Sequence, residues 1–408
     1  MPDTQQDKSE IPYYFCTYFD RNYLTRGLAL YNSLRQHCRR PFVLWILCFD
    51  EETYAILGRL NLPGVRLITQ QEFEAGDEAL ARAKADRGRV EYYWTCTPSL
   101  PLYVLQHHPE VELITYLDAD LYFYGDPGPI YDELGEGSVL IVEHRYAPEY
   151  AYLAALSGIY NVGWMSFRRD ERGLSCLHWW RERCLEWCYR RVEDGKFGDQ
   201  KYLDDWPERF DRVVVLQHKG AGLAPWNYSR YTVGLERTSG LTVDGQPLIF
   251  YHFHGYKSVV APLDYRYPMS PQQIGDLYLP YAFALRRAKH EIIRLRSGLN
   301  PYGSAKPGRL AQSVETDRVF WSSRWLAMVI WQLATWNRTS QARVDAGFAA
   351  YNAGDLSNAR RNFLSAARYN PSLLCNRGVQ SILLESIIGA RCMNAYRRRK
   401  RDALPNPD

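Results

Sequence analysis

The sequence predicts an α/β fold, a mostly parallel sheet flanked by helices, with an α-helical extension at its C-terminal end. Three observations carry that prediction. Strand-like and helix-like patterns alternate from residue 13 onwards. One apolar strand runs directly into two acids spaced one residue apart, which suits the carboxyl end of a parallel strand. Beyond residue 308 the β-rich runs give way to helical spacing.

Tyr13-Tyr14-Phe15-Cys16-Thr17 is a β-rich run, and Tyr23 to His37 has helical spacing through Leu24, Leu28, Tyr31 and Leu34. Phe42 to Cys48 reads as a second strand, Glu51 to Leu60 as a second helix, and Val65 to Ile68 as a third strand. A charged helical stretch from Glu72 to Arg89 follows. Tyr92 to His107 is helical in pattern but contains Pro98 and Pro101; proline lacks an N–H and clashes with the preceding turn, so the helix is expected to start or kink there. Leu113 to Leu117 is the next strand. This βαβαβ order favours a parallel sheet with helices on both faces and a ligand site beyond the strand carboxyl ends. Further strands are expected at Ser138 to Val142, Gly163 to Phe167, Val213 to Leu216 and Leu248 to Phe253. Between them a helix, Cys176 to Arg191, sets Leu177, Trp180, Cys184, Trp187 and Cys188 on one apolar stripe that reads as core.

The acids are Asp118 and Asp120, at the end of Leu113-Ile114-Thr115-Tyr116-Leu117. In an extended segment residues i and i+2 face the same side, so both carboxylates can aim at one point beyond the strand. They repel each other unless a cation lies between them, and hard oxygen ligands favour Mn²⁺ or Mg²⁺. Most short D-x-D matches are solvated loop acids. Here the apolar run before them argues otherwise, since burying an unpaired carboxylate is costly.

With 408 residues, 46% of them hydrophobic, the chain suffices for one large domain or for a catalytic domain plus a smaller one. A net charge of +4 with mixed signs gives no nucleic-acid-binding signature. The nine cysteines are scattered with no C-x-x-C pair, which argues against a zinc site and a disulfide framework and for a reducing compartment. Met1 to Glu10 is polar, and no window reaches the ~20 apolar residues that span a bilayer. The expected location is cytoplasmic. Aromatic content of 14% gives weak support for a carbohydrate-handling surface.

Five segments in order carry a resemblance: Tyr14-Phe15-Cys16-Thr17, Asp118-Ala119-Asp120, Asn161-Val162-Gly163, Gly198-Asp199-Gln200, and His252 to Gly255. Over about three-fifths of the chain, from Ile11 to Lys257, they resemble retaining GT-A glycosyltransferases of the family 8 type, the group of glycogenin and the lipopolysaccharide galactosyltransferases. The resemblance implies a Rossmann-like GT-A domain over 11–265. It implies that Asp118 and Asp120 bind the metal, Asp118 also reaching the donor, and that a histidine of Tyr251-His252-Phe253-His254-Gly255 completes the coordination. Spacing to Gly255 selects His252, while His254, on the same strand face, is the alternative ligand. Asn161 matches the asparagine that binds donor-sugar hydroxyls, although Asn-x-Gly is also an ordinary turn signal. Asp199 and Gln200 match the loop near the reacting face of the sugar. Thr17 and Tyr18 fall where the family holds the nucleobase, usually uracil, so a UDP-sugar is the implied donor. Lys257 resembles the diphosphate-binding lysine, but Ser258 follows it where the family has proline, and the spacing is one residue short. A family basic residue before the metal strand has no clear counterpart, and Lys84 or Arg89 is the substitute. Trp226 is placed at the acceptor side or in the core, and Asn227 at the acceptor side.

These parts imply metal-assisted departure of a nucleoside diphosphate, with Asp199 or Gln200 facing an oxocarbenium-like sugar. The expected cofactor is Mn²⁺ or Mg²⁺, and the acceptor a glycan or lipid-linked glycan, as in bacterial surface polysaccharide synthesis. Two alternatives stand beside this: a non-catalytic sugar-nucleotide-binding scaffold acting through its C-terminal helices, and an inverting transferase with Asp204 or Asp205 as base.

The region 266–318 reads as a connecting segment, with a linker at 301–308. Within 319–395, Ala346-Gly347, Tyr351, Gly354-Asp355, Ala359, Phe363, Ala366 and Pro371 resemble a single tetratricopeptide unit that needs flanking helices, at 319–336 and 372–393, to bury its core. It is either an appendage of the catalytic domain or a docking surface for a protein partner or acceptor. The tail 396–408 contains Arg397-Arg398-Arg399-Lys400-Arg401, a solvated end or a peripheral contact with anionic lipid at the inner face of the membrane.

Overall fold

The computed structural model describes residues 11–236, 239–256, 267, 269–295, 343–369 and 377–388. The chain forms two compact units, Met1–Tyr267 with Asp276–Arg309, and Pro268–Gly275 with Leu310–Asp408.

In the first unit, elements alternate as the sequence predicts: β1 (Tyr13–Phe19), α1 (Leu24–His37), β2 (Phe42–Cys48), α2 (Glu51–Leu60), β3 (Val65–Thr69), α3 (Gln70–Glu74), α4 (Glu78–Asp86), α5 (Arg89–His107), β4 (Leu113–Leu117), β5 (Leu121–Phe123), α6 (Gly128–Leu134), β6 (Val139–Glu143), α7 (Leu153–Ser157), β7 (Tyr160–Arg168), α8 (Glu171–Glu186), α9 (Trp206–Arg209), β8 (Val213–Val215) and β9 (Ala221–Leu223). A small antiparallel ribbon, β10 (Val233–Glu236), β11 (Gly240–Val243) and β12 (Gln246–Pro247), precedes β13 (Phe250–His252), and α10 (Leu279–Arg294) packs on α1. Seven strands form the main sheet in the order β3-β2-β1-β4-β7-β6-β8. β7 runs antiparallel to both of its neighbours, and the other pairs are parallel. This reversal brings the start of β7 to the edge where β4 ends, because Leu117 pairs with Trp164. β5, β13 and β9 form a separate three-stranded sheet in which His252 pairs with Leu121. This long-range antiparallel partner of β5 therefore delivers a histidine beside the residue that follows Asp120.

Both faces of the main sheet are covered, as a mostly parallel sheet requires. Cys16, Ile114, Tyr116 and Met165 pack on one side with α5 and α8, while Phe15, Leu117 and Trp164 pack on the other with α1. Several boundaries differ from the sequence reading. α5 runs unbroken through Pro98 and Pro101, both buried, from a start at Gly88, whose N–H donates to Glu91. Each proline costs ~3 kcal/mol or more in a helix interior, and the buried face of α5, with Tyr92, Leu100 and Leu105, offsets that cost. The stretch 72–89 is two helices, split where Gly76 takes a left-handed φ of 75° and Asp77 caps the next helix through the N–H of Leu80. α8 starts five residues before the expected Cys176, because Asp170 accepts from the N–H of Gly173, and it ends before Cys188. Its stripe of Cys176, Leu177, Trp180 and Cys184 is core as expected.

In the second unit, helices span 343–352, Leu356–Tyr369 and Arg377–Ile388. Val344, Ala359, Phe363, Ala366, Val379 and Ile382 form its core. A Cβ on Gly347 would meet the Phe363 ring at 2.9 Å, so glycine permits this close approach. The expected helix at 319–336, the linker at 301–308 and the basic tail lie outside the described residues. Among the described residues no helix is long and apolar enough to cross a membrane.

Candidate active site

β4 stops at Leu117 and the chain turns at once, the N–H of Leu121 donating to the carbonyl of Asp118 at 3.1 Å. Asp118 and Asp120 therefore converge through a tight turn rather than through the same-side alternation of a strand. Three bonds fix that turn. The N–H of Asp118 donates to Gly163 O (2.9 Å), the N–H of Phe253 donates to Asp120 O (2.9 Å), and Tyr116 Oη donates to Asp118 Oδ1 (2.8 Å). His252 Nε2 lies 3.2 Å from Asp120 Oδ1 and 3.6 Å from Asp118 Oδ2. One ligand atom from each of the three residues falls within 4.8 Å of the others. Two carboxylates and one imidazole form a donor set suited to a divalent ion of the Mn²⁺ or Mg²⁺ kind.

Electrostatics point the same way. Burial, with Asp120's charge, raises the Asp118 carboxyl above the ordinary carboxylate range. Asp120 is lowered despite burial, chiefly by the charge of His252. Burial alone would lower the His252 pKa, and the charge and hydrogen bond of Asp120 outweigh it and raise the imidazole. The two carboxyls and the imidazole thus perturb one another strongly, as groups close enough to share one cation do.

Asp199 lies close by. Gly198 precedes it at φ 53°, and a Cβ there would meet the Trp94 ring at 3.2 Å. The Asp199 side chain is 3% exposed, its carbonyl accepts from Trp180 Nε1 at 2.8 Å, and its Oδ2 is buried with no hydrogen-bond partner. Burial pushes its carboxyl up to about 7, Thr97 opposing and the charge of Asp118 adding. Tyr18 joins the group, its hydroxyl 2.9 Å from Thr97 Oγ1 and its ring 5.5 Å from that of Tyr116. Thr17, one residue earlier on β1, is buried with an unpartnered Oγ1.

Asn161 sits in β7, not in a turn. Its Oδ1 accepts from the N–H of Gly163 at 2.8 Å and its Nδ2 lies 3.4 Å from His144 Nε2. Gly163 matters for a steric reason. A Cβ there would lie 2.6 Å from Asn161 Oδ1 and 3.0 Å from His252 Nδ1. His254 lies beyond the end of β13, in a turn, exposed and outside the three-residue group, so the shared strand face expected of it with His252 is absent.

Most of the other sequence candidates make local contacts. Lys84 bonds Glu74 at 2.8 Å and Arg89 faces Asp20 at 3.6 Å. Gln200 Nε2 donates to Ser157 O at 2.6 Å. Asp204 accepts from the N–H of Ile159 and pairs with Lys201, and Asp205 pairs with Arg209. Asn227 is fully buried and caps its own loop through Ala224 N, Gly222 O and His144 O. Trp226 packs edge-on to the His252 ring at 5.3 Å. Lys257 lies outside the described residues. Sequence reading missed Arg26, whose charge helps hold Asp120 ionised, and Tyr116, Thr97, His144 and Gly163. Of these, Tyr116 carried a local signal, standing two residues before Asp118, and Gly163 stood in the Asn-x-Gly segment without its steric role being visible.

No family model matches the chain. It is 38% identical over 251 residues, 60% of this chain and 82% of the relative, to the uncharacterized protein YfnF of Bacillus subtilis. To the uncharacterized protein YfnD of the same organism it is 30% identical over 286 residues, 69% of this chain and 91% of the relative. Among solved structures it is similar to the galactosyltransferase LgtC in complex with donor and acceptor sugar analogs, at a TM-score of 0.42 and 16% identity over 69% of this chain and 95% of that one. It is also similar to the apo form of the glycosyltransferase GlyE of Streptococcus pneumoniae TIGR4, at a TM-score of 0.40 and 15% identity over 70% of this chain and 63% of that one.

Proposed function

The chain belongs to the family of the Bacillus subtilis proteins YfnF and YfnD, and we propose that it is a divalent-metal-dependent glycosyltransferase. Its donor is a nucleotide-sugar, a UDP-sugar first among them, and its acceptor a glycan or lipid-linked glycan. One observation carries the reading: Asp118, Asp120 and His252 converge at the carboxyl end of the sheet, beside the buried carboxyl of Asp199.

Asp118, Asp120 and His252 would hold Mn²⁺ or Mg²⁺. Such an ion, when bound, neutralises the diphosphate and favours its departure. The protein's own groups do the rest. Tyr116 orients Asp118 through the Oη–Oδ1 bond, and Trp226 packs against the His252 ring. Asp199, in its ionised form, stabilises positive charge on the sugar as its glycosidic bond lengthens, and burial strengthens that effect. Asn161 meets sugar hydroxyls, and Thr17 and Tyr18 border the nucleobase. Lys257 shares the diphosphate charge and Gln200 supports the Asp199 loop. Retention is the outcome we propose; Asp204 and Asp205, the candidate bases for inversion, pair with Lys201 and Arg209. The helices after residue 343 act as an appendage of the transferase.

The test is turnover. Purified protein given a panel of UDP-sugars with Mn²⁺ should hydrolyse or transfer one of them with release of UDP, and chelator should stop it. No release from any nucleotide-sugar in the panel, with metal and a glycan acceptor pool present, would overturn the reading.

A further inference from the structure

We propose that His144 is a positioning residue that fixes which way the carboxamide of Asn161 faces, so that a sugar hydroxyl at this site meets the amide N–H and the amide oxygen in one fixed order. This rests on the transferase reading of the site. The assignment follows from one unambiguous donor. The backbone N–H of Gly163 can only donate, and the Asn161 side-chain atom 2.8 Å from it must therefore be the oxygen. The amide nitrogen then faces His144 Nε2 at 3.4 Å. His144 Nδ1 lies 3.1 Å from the carbonyl oxygen of Ile159, which can only accept, so the ring proton sits on Nδ1 and Nε2 accepts. Hydrogen bonds thus run in one direction from Gly163 through Asn161 and His144 to Ile159.

The ring is held for this task. His144 is 4% exposed and stacks on Tyr146 at 4.6 Å with an interplanar angle of 9°. Its carbonyl accepts from Trp226 Nε1 (3.0 Å) and from Asn227 Nδ2 (2.8 Å), and its N–H donates to Ile159 O (2.8 Å). Burial lowers its pKa to about 3, which keeps the imidazole neutral. A flipped Asn161 amide would place N–H against N–H at Gly163 and oxygen against the Nε2 lone pair at His144. Two buried mismatches exclude that flip. One Nδ2 hydrogen and one Oδ1 lone pair remain, in fixed order, beside the His252 ring that crowds the same glycine.

Binding of UDP and of the preferred UDP-sugar, both with Mn²⁺, tests this in the full chain. His144→Phe keeps an aromatic ring for stacking but removes both the Nε2 acceptor and the Nδ1 donor to Ile159. It should reduce the affinity gained from the sugar about fivefold to tenfold, the scale of one hydrogen bond, with UDP and Mn²⁺ affinities unchanged. His144→Gln, which retains an acceptor, should recover part of the loss. A role in folding alone would weaken UDP and UDP-sugar alike, and that result, or an unchanged sugar increment, overturns the inference. Absence of any Mn²⁺-dependent nucleotide-sugar binding in the wild type overturns the transferase reading, and this role with it. Should His144→Phe not fold, ¹⁵N NMR of the wild type at pH 7 decides: an unprotonated Nε2 with protonated Nδ1 is expected, and a protonated Nε2 refutes the network.

Discussion

Gly163→Ala should disable the candidate metal site without replacing any of its three ligands. The new Cβ would lie 2.6 Å from Asn161 Oδ1 and 3.0 Å from His252 Nδ1, where ordinary contact begins at 3.4 Å. The asparagine oxygen must therefore yield by 0.8 Å (3.4 − 2.6) and the imidazole by 0.4 Å (3.4 − 3.0). Metal–ligand distances tolerate about 0.2 Å, so the histidine leaves its coordinating position. Loss of ligand orientation on this scale lowers metal affinity about 10- to 100-fold, and the overpacking costs about 1–3 kcal/mol of stability. Backbone strain does not contribute, since Gly163 is not among the residues with positive φ. Gly58 supplies the control: a Cβ there meets nothing within 4 Å, and Gly58→Ala in α2 should be neutral or stabilise by about 1 kcal/mol. Calorimetric titration with Mn²⁺ reads the difference. Wild-type Mn²⁺ affinity in Gly163→Ala would refute the placement of His252 in the site.

Tyr116→Phe removes the 2.8 Å bond to Asp118 Oδ1 and should weaken Mn²⁺ about tenfold while costing about 1 kcal/mol in urea unfolding. Metal affinity should rise with pH. Both Asp118 and His252 have raised pKa values, so binding must expel their protons, and titrations between pH 5.5 and 8 should show affinity falling by up to about tenfold per unit per proton on the acid side. A flat profile would contradict the coupling of these groups. Asp199 makes an opposite kind of contribution. Its folded pKa of about 7 exceeds the ordinary 3.8, so the folded state binds the proton more tightly and metal-free stability declines as pH climbs from about 4 to about 7. Asp199→Asn should remove that decline, at most about 3 kcal/mol between pH 5 and pH 8, in chelator-treated protein melted at those two pH values, and should abolish turnover.

The alternation of β1 to β4 with their helices was legible because each strand is a compact apolar run and each helix keeps a 3.6-residue stripe. What local pattern could not supply was geometry created by pairing. The reversal of β7 and the pairing of His252 with Leu121 are long-range choices, and they bring Asp118, Asp120, Asn161 and His252 to one place. The two acids were found for a reason only partly right, since a turn rather than an extended strand aims them. The prolines in α5 misled because their penalty is local, whereas the burial that offsets it depends on the sheet and α8. Asp204 and Asp205 looked available in sequence, yet Lys201 and Arg209, at i−3 and i+4, hold them. His144 carries no signature alone, and Gly163 was visible only as the end of the Asn-x-Gly segment; its steric role exists only once Asn161 and His252 crowd the same backbone.

The central claim, a metal-dependent nucleotide-sugar site at Asp118, Asp120 and His252, is tested most directly by calorimetric binding of a UDP-sugar to wild-type protein and to Asp120→Ala, each with Mn²⁺ and with chelator. Binding by the wild type with Mn²⁺ alone, lost in chelator and in the variant, is the predicted result. Equal binding in all four conditions, or none in any, would contradict it.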